Sequence, residues 1–173
     1  CGTLGMKGIV IDLDRDWKPI QTDFMTSQRI MGGLIDAHVA AVRGVELLRL
    51  AGLTVIREKV ETAAWVGERS HAEGRYFESH IQIQTTPGEI DEFRRAHNNP
   101  EVHFSRNPFK ALEGGEMIQM ATLRGSPRLP EEFHQRVDEF SKTLVDAGLK
   151  VTKVERELVL WDSNESHDSA WVN

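Results

Sequence analysis

Two ionisable side chains lie close together on one face of a predicted strand near the middle of the chain. Polar and apolar residues alternate through residues 75–84, as they do in a β-strand with one buried face. Glu78, His80 and Gln82 share the polar face, whereas the other face is aromatic and aliphatic. Burial of the apolar face does not require ionisable groups opposite it. The pattern therefore predicts that water, a partner sheet or a substrate lies against Glu78 and His80.

Other predicted strands in the second half add polar groups to this face. One of them carries His103, and the last strand carries Glu157. Histidines beside carboxylates suit general acid/base catalysis, in which one imidazole accepts a proton and the other donates one. We therefore predict His80 and His103 as an acid/base pair. Glu78 or Glu157 would orient an imidazole.

A basic rim is predicted beside the same face. Arg124 ends one strand, and the turn predicted after Ser105 contains further basic and polar groups. Guanidinium and ammonium groups bind phosphate, so the expected substrate is a small anion, either phosphorylated or nucleotide-like. The predicted substrate-binding residues are Ser105, Arg106, Asn107, Lys110, Arg124 and Glu155.

Two alternative functions use the same face. In the first, the cleft or a sheet edge binds a ligand or a partner protein without catalysis. In the second, the protein is a metal-dependent hydrolase in which Glu78 and His80 ligate one ion. His103 with Glu155 or Glu157 would complete the ligand set. The sequence has no compact ligand signature, so it leaves the metal and any other cofactor unknown.

The composition narrows the classes of partner. The chain has 173 residues, with 21 basic and 27 acidic side chains and a formal charge of −6, so binding to duplex nucleic acid is not expected. No apolar run approaches the roughly 20 residues that span a bilayer, and no signal-peptide pattern opens the chain. We expect a cytoplasmic protein without a membrane segment. Exposed sheet edges would allow a homo-oligomer.

The two halves of the chain match each other at a constant offset. Without gaps, Ala51-Gly52-Leu53 matches Ala147-Gly148-Leu149, and Glu61 matches Glu157. These matches accompany the same predicted order of hairpin, helix and strand in both halves. The shared pattern predicts an internal repeat.

The order of predicted elements indicates the fold class. The second half reads strand, helix, strand, strand, helix, strand, which is the ferredoxin-like βαββαβ order; the first half has only ββαβ. We predict an α+β fold of duplicated ferredoxin-like lobes, with antiparallel sheets, helices on one face and a cleft between the open faces. The predicted divisions are an incomplete repeat at 1–65, a linker at 66–75, a repeat at 76–161 and an acidic tail at 162–173. The predicted strands cover 8–14, 20–28, 54–64, 75–84, 102–106, 117–124 and 151–161, and the predicted helices cover 35–50, 87–97 and 130–147.

Short motifs resemble those of known families. His103-Phe-Ser105 resembles the His-x-Ser/Thr motif of two-histidine phosphoesterases, which are duplicated α+β proteins; this resemblance implies a phosphoester reaction. Those enzymes repeat the motif once in each lobe, whereas the counterpart here falls near Asp12-Leu-Asp14 in a strand without histidine, so the resemblance leaves room for a different histidine pair. A family of small uncharacterised proteins with E-x-H, H-x-S-R-N and D-S-N motifs is also similar, which implies that the polar strand residues belong together. Its motifs correspond to Tyr76-Phe-Glu78-Ser-His80, His103-Phe-Ser-Arg-Asn107 with Lys110, Thr122-Leu-Arg124 and Asp162-Ser-Asn164.

The first residues allow one further interpretation. Cys1-Gly-Thr-Leu-Gly resembles the start of N-terminal-nucleophile amidotransferases, in which a free terminal cysteine attacks an amide. The chain lacks the Asn-Gly pair that those enzymes carry, and a frayed or engineered terminus is the alternative. Because Cys1 is the only cysteine, intramolecular disulfides and cysteine metal clusters are excluded.

Overall fold

The computed structural model describes residues 5–13, 21–64 and 75–167. Within these ranges the chain forms seven β-strands and three α-helices. The strands are β1 (Lys7–Leu13), β2 (Gln21–Ser27), β3 (Lys59–Ala63), β4 (Tyr76–Thr85), β5 (Val102–Ala111), β6 (Met117–Gly125) and β7 (Lys150–Asp162). The helices are α1 (Leu34–Leu50), α2 (Pro87–Ala96) and α3 (Pro130–Asp146).

The strands form one antiparallel sheet in the order β2-β1-β5-β6-β4-β7-β3. The predicted α+β class and the antiparallel pairing are thus confirmed. Strands of the first half lie at both edges of this sheet, because the β1–β2 hairpin joins β5 whereas β3 joins β7. Strands from both halves therefore share one sheet, and the duplicated ferredoxin-like lobes stay a prediction.

The sheet is strongly curled, as antiparallel sheets with a cumulative strand twist can be. His167, which follows β7, places its Nε2 atom 3.2 Å from Oδ2 of Asp23 on β2, although four strands separate β2 from β7 in the sheet. Asp23 is paired with Ile11 on the face that also carries Leu13 and Ser105. This face is therefore concave, and we call it the concave face.

The hydrophobic core fills the opposite, convex side of the sheet, beneath α2 and α3. Phe77 of β4 stacks on Phe133 of α3, with 5.1 Å between the ring centroids. Gly125 at the end of β6 allows this packing, since a Cβ atom there would overlap the Phe133 ring. The core includes Phe77, Ile81, Ile90, Phe93, Phe104, Leu123, Phe133, Val137, Phe140, Leu144 and Leu158.

Local sequence signals explain the helix ends. Thr86 caps α2, and its backbone N–H donates to Oε2 of Glu89 at 2.8 Å, which completes a capping box. Both long helices run into an Ala-Gly pair, where Gly52 and Gly148 adopt positive φ values of 81° and 85°. Glycine favours that backbone conformation because it has no Cβ.

No helix in the described ranges is both long and apolar enough to cross a bilayer.

Two strand boundaries differ from the sequence prediction. β3 begins only at Lys59, because residues 53–58 lie outside the ladder with β7. β5 continues to Ala111 instead of turning at Arg106, and it does so across an irregular part of its pairing with β6. Pro108, which lacks an N–H, lies in this irregular part and so interrupts no regular ladder.

Several predictions concern residues that lie outside the described ranges. They are the Cys1 nucleophile, the linker at 66–75 except Arg75, and the tail after His167. Asp162, the first residue of the predicted acidic tail, is the last residue of β7, and its side chain is fully buried. Pairing with Arg57 explains this burial, as described below.

Candidate functional site

The register of the central strands brings the predicted catalytic residues into two adjacent rows across the concave face. In one row Glu78 of β4 lies between Arg124 of β6 and Glu157 of β7. Side chains directly opposite each other on neighbouring strands have Cβ atoms only about 5 Å apart, so these charged groups interact. Alternation along the strands then places the second row, which contains His103, Thr122, His80 and Glu155.

Glu78 is the buried centre of the site. Its Oε1 accepts from Nε of Arg124 at 2.8 Å, and its Oε2 lies 2.5 Å from Nζ of Lys59 and 3.3 Å from Nε2 of His80. Burial would raise the pKa of Glu78, but the charge of Lys59, the hydrogen bond and charge of His80, and Arg124 together hold it well below its ordinary value. Glu78 is therefore a permanent carboxylate in contact with two cations, Lys59 and Arg124, and with the imidazole of His80.

Lys59 and Glu61 belong to the site although the sequence interpretation did not include them. Lys59 Nζ also lies 2.8 Å from Oε2 of Glu61. Burial favours a lower pKa for Lys59, yet the charges of Glu78 and Glu61 raise the pKa above its ordinary value. The sequence contains one indication of this, because Lys59 and Glu61 are two residues apart, as Glu78 and His80 are. Only the pairing of β3 with β7 shows that these two pairs of side chains come together.

His80 and Glu157 form the titratable pair that solvent can reach. His80 Nε2 lies 3.6 Å from Oε2 of Glu157, and each side chain is 26% exposed. Burial raises the pKa of Glu157 to about 7, helped by the charge of Glu61 and opposed by that of His80. For His80, burial acts to lower the pKa, but the hydrogen bond and charge of Glu78 raise it above its ordinary value. His80 Nδ1 is held 3.0 Å from Oγ1 of Thr122.

A second polar cluster, formed by Arg57, Tyr76 and Asp162, contacts Arg124 through the ring of Tyr76. The Arg124 guanidinium carbon lies 4.7 Å from the ring centroid of Tyr76, whose hydroxyl donates to Oδ2 of Asp162 at 2.6 Å. Arg57 binds Asp162 with two hydrogen bonds of 2.9 and 2.6 Å. Burial would raise the pKa of Asp162, but the hydrogen bonds from Arg57 and Tyr76 lower it to about 2. Asp162 therefore stays charged at neutral pH and keeps its charge-assisted hydrogen bonds to Arg57.

The two predicted catalytic histidines share a row but do not lie side by side. Thr122 separates His103 from His80, so their Cα atoms are about 10 Å apart at the usual strand spacing. The titratable neighbour of His80 is Glu157 instead. Glu155 lies opposite His80, and it accepts from Nζ of Lys153 at 2.6 Å.

The predicted anion-binding rim does not assemble as expected. Because β5 continues through Arg106, strand alternation places this side chain on the face opposite Ser105, where Nε lies 3.4 Å from Oδ2 of Asp12. Asn107 accepts a hydrogen bond from the backbone N–H of Phe109, and Lys110 is exposed. Ser105 stays on the concave face and is buried. Of the predicted rim, Arg124 alone contacts Glu78.

The centre has the donor atoms of a metal site but carries competing charges. One ligand atom each from Glu78, His80 and Glu157 lies within 4.8 Å of the others. Both oxygens of Glu78, however, already face the cationic groups of Lys59 and Arg124. A divalent cation at Glu78 would lie within a few ångströms of two fixed positive charges. The arrangement therefore favours proton chemistry over metal chemistry.

The raised pKa of Glu157 predicts a pH-dependent stability. The pKa of Glu157 is about 7 in the folded protein, against 4.5 ordinarily. The contribution of Glu157 to the free energy of unfolding is therefore fully present below pH 4.5 and is lost as the pH rises through about 7. Since the side chain is partly exposed, we expect a loss of about 1–3 kcal/mol. Glu157→Gln should reduce this loss, as measured by urea denaturation at several pH values between 4.5 and 8.

A matched control is available on the same strand. Glu155→Gln removes a carboxylate two residues away whose pairing with Lys153 is exposed, so the pH dependence of its stability should resemble that of the wild type. Equal slopes for wild type and both variants would contradict the assignment of the raised pKa to Glu157.

Comparison of the chain with known proteins gives no relative from which a function could be transferred. No protein-family model matches it, and neither a curated protein nor a solved structure matches it significantly. Any functional interpretation must therefore come from the geometry and charges of the site.

Proposed function

We propose that the protein is an enzyme that binds a small anionic substrate on the concave face and transfers a proton through Glu157. The observation that carries this proposal is a solvent-accessible carboxyl group with a pKa of about 7 beside an imidazole with a raised pKa. A general acid or base works best when its pKa lies near the working pH. Structural ion pairs keep their carboxylates charged, so a carboxyl group poised at neutrality favours a catalytic role.

The surroundings assign different tasks to the two residues of the pair. Nδ1 of His80 faces Thr122, and Nε2 of His80 faces both Glu78 and Glu157. Both ring nitrogens thus have protein partners, and His80 acts as a cationic positioning residue. Glu157 exchanges the proton with the substrate. Once it has lost that proton, its carboxylate is stabilised by the adjacent imidazolium.

The balance of charge favours an anionic substrate. With Glu157 protonated, the positive charges of Lys59, Arg124 and His80 outnumber the negative charges of Glu78 and Glu61. A nearby anion also favours the protonated form of Glu157, which is the form that can donate a proton to a leaving group. A phosphorylated or nucleotide-like compound has the required charge and a leaving group of this kind.

We also propose that the chain arose from duplicated ferredoxin-like units. Helices α1 and α3 each have 17 residues, and both end in an Ala-Gly pair with the same backbone hydrogen bonds. In the second half, β4 and β6 are the inner strands between β5 and β7, which agrees with the ferredoxin-like order. This origin would explain why polar strands from both halves meet at one face.

The proposed function is tested by the pH dependence of anion binding. Inorganic phosphate, sugar phosphates and nucleotides are titrated into the protein by calorimetry at pH 6, 7 and 8, in two buffers with different ionisation enthalpies. We expect one class to bind with uptake of a proton, so that its Kd rises about tenfold for each pH unit above the pKa of Glu157. Glu157→Gln should abolish both the proton uptake and the pH dependence.

Other outcomes would support the alternatives. Anion binding with the same proton uptake in wild type and Glu157→Gln would indicate a non-catalytic binding module. Binding that requires Mg²⁺ or Mn²⁺ would indicate a metal-dependent hydrolase and would overturn the argument from Lys59 and Arg124.

A further inference from the structure

Helix α1 presents a stripe of large aliphatic side chains to solvent. None of its residues is buried. Ile35, Val39 and Val42 are 79%, 61% and 40% exposed, and their spacing places them on one side of the helix. We call these three residues the α1 stripe. Leu50, Leu53 and Ile56 extend the exposed aliphatic surface at the end of the helix.

A comparison with α3 explains why the stripe points outward. The buried face of α3 consists of Phe133, Val137, Phe140 and Leu144. At the matching positions α1 has Ala37, Ala41, Gly44 and Leu48, which are partly covered, as are Ala40, Val45 and Leu47. Three of the four positions that are large and buried in α3 are thus occupied by small residues in α1, whereas Ile35, Val39 and Val42 lie on the exposed side of the helix.

The charges beside the stripe favour a partner with the same sequence. Helix α1 carries two acidic residues, Asp36 and Glu46, and two arginines, Arg43 and Arg49. Helices that bind anionic membranes are instead rich in Lys and Arg on their polar face. Within the described ranges, neither Arg43 nor Arg49 has an ion-pair partner. A balanced helix of this kind can be complementary to itself.

We infer that α1 packs antiparallel against α1 of a second copy and so forms a homodimer. In this arrangement the two-fold axis passes between Val39 and Val42, so that each Val39 meets Val42 of the other copy. Ile35, Val39, Val42, Glu46 and Arg49 follow the alternating four- and three-residue spacing of a coiled-coil seam. Asp36 and Arg43, which flank the seam, then form two symmetric pairs of opposite charge across the interface.

The length of the exposed surface suits such an interface. A 17-residue helix is about 26 Å long. The aliphatic residues that follow α1 extend this surface toward the roughly 800 Å² per partner of a specific dimer. Isologous pairing would cover the stripe in both copies at once.

Sedimentation velocity over a range of protein concentrations tests the dimer. The wild type should sediment as a dimer, whereas Val39→Glu should raise the dimer Kd at least about 100-fold because a charge enters the centre of the interface. Val145→Glu is the matched control, since Val145 lies on α3 and is 56% exposed. It should stay dimeric. Circular dichroism would check that both variants are folded.

A cross-linking experiment tests the antiparallel register. In a Cys1→Ser background, an equimolar mixture of Val39→Cys and Val42→Cys proteins should form disulfide-linked heterodimers faster than either protein forms homodimers. A monomeric wild type, or equal effects of Val39→Glu and Val145→Glu, would overturn the dimer. Faster cross-linking within each single variant would overturn the antiparallel register.

Discussion

Glu78→Gln is expected to lower the free energy of unfolding by about 3–5 kcal/mol, although the two side chains have nearly the same size. The buried carboxylate is the shared partner of Lys59, Arg124 and His80. An amide has one acceptor and one donor group, so it cannot accept from both Lys59 and Arg124. The variant would leave several partly buried cations without an anion, which costs much more than losing an exposed ion pair.

Urea denaturation at pH 7 measures this effect, with Glu155→Gln as the control. Glu155 is also a carboxylate on the concave face, but its contact with Lys153 is exposed, so its loss should cost less than about 1 kcal/mol. A loss of similar size in both variants would show that Glu78 does not organise the centre. A double variant, Glu78→Gln with Lys59→Met, should recover part of the loss because it removes one unpaired charge.

The sequence predicts the elements of this site better than it predicts their neighbours. Alternation places Glu78 and His80 on one strand face, and that prediction needs only the period of a strand. The contacts of Glu78 with Lys59 depend on β3 joining β7 at the edge of the sheet. Arg57 and Asp162 are 105 residues apart in the chain. Such pairings depend on which strands are neighbours in the complete sheet, and local sequence patterns do not specify this.

Local patterns also do not determine which side of a helix or strand faces the protein and which side faces solvent. The spacing of Ile35, Val39 and Val42 predicts α1 correctly, but it cannot show that the aliphatic side points away from the sheet. The turn predicted at Arg106 is wrong for a related reason, because β5 continues to Ala111. Strand alternation places the Arg106 side chain on the face opposite Ser105, so the point at which β5 ends determines which side chains can line the rim.

Glu157→Gln is expected to lower kcat by about 10²–10⁴-fold once a substrate is identified, which is the usual contribution of general acid/base catalysis. The amide keeps the shape of the carboxyl group but cannot transfer its proton. Because the proposed donor must be protonated, wild-type activity should fall as the pH rises through about 7. This decline should be absent from the residual activity of the variant. Glu92→Gln on the exposed surface of α2 serves as the control.

His80→Gln separates the positioning role of His80 from a direct catalytic role. The charge of His80 lowers the pKa of Glu157, so replacing His80 should raise that pKa and move the decline in activity to higher pH. If His80 itself transferred the proton, the variant would lose activity as completely as Glu157→Gln, and no shifted profile would be seen. The pH profile therefore distinguishes the two roles even if both variants are slower than the wild type.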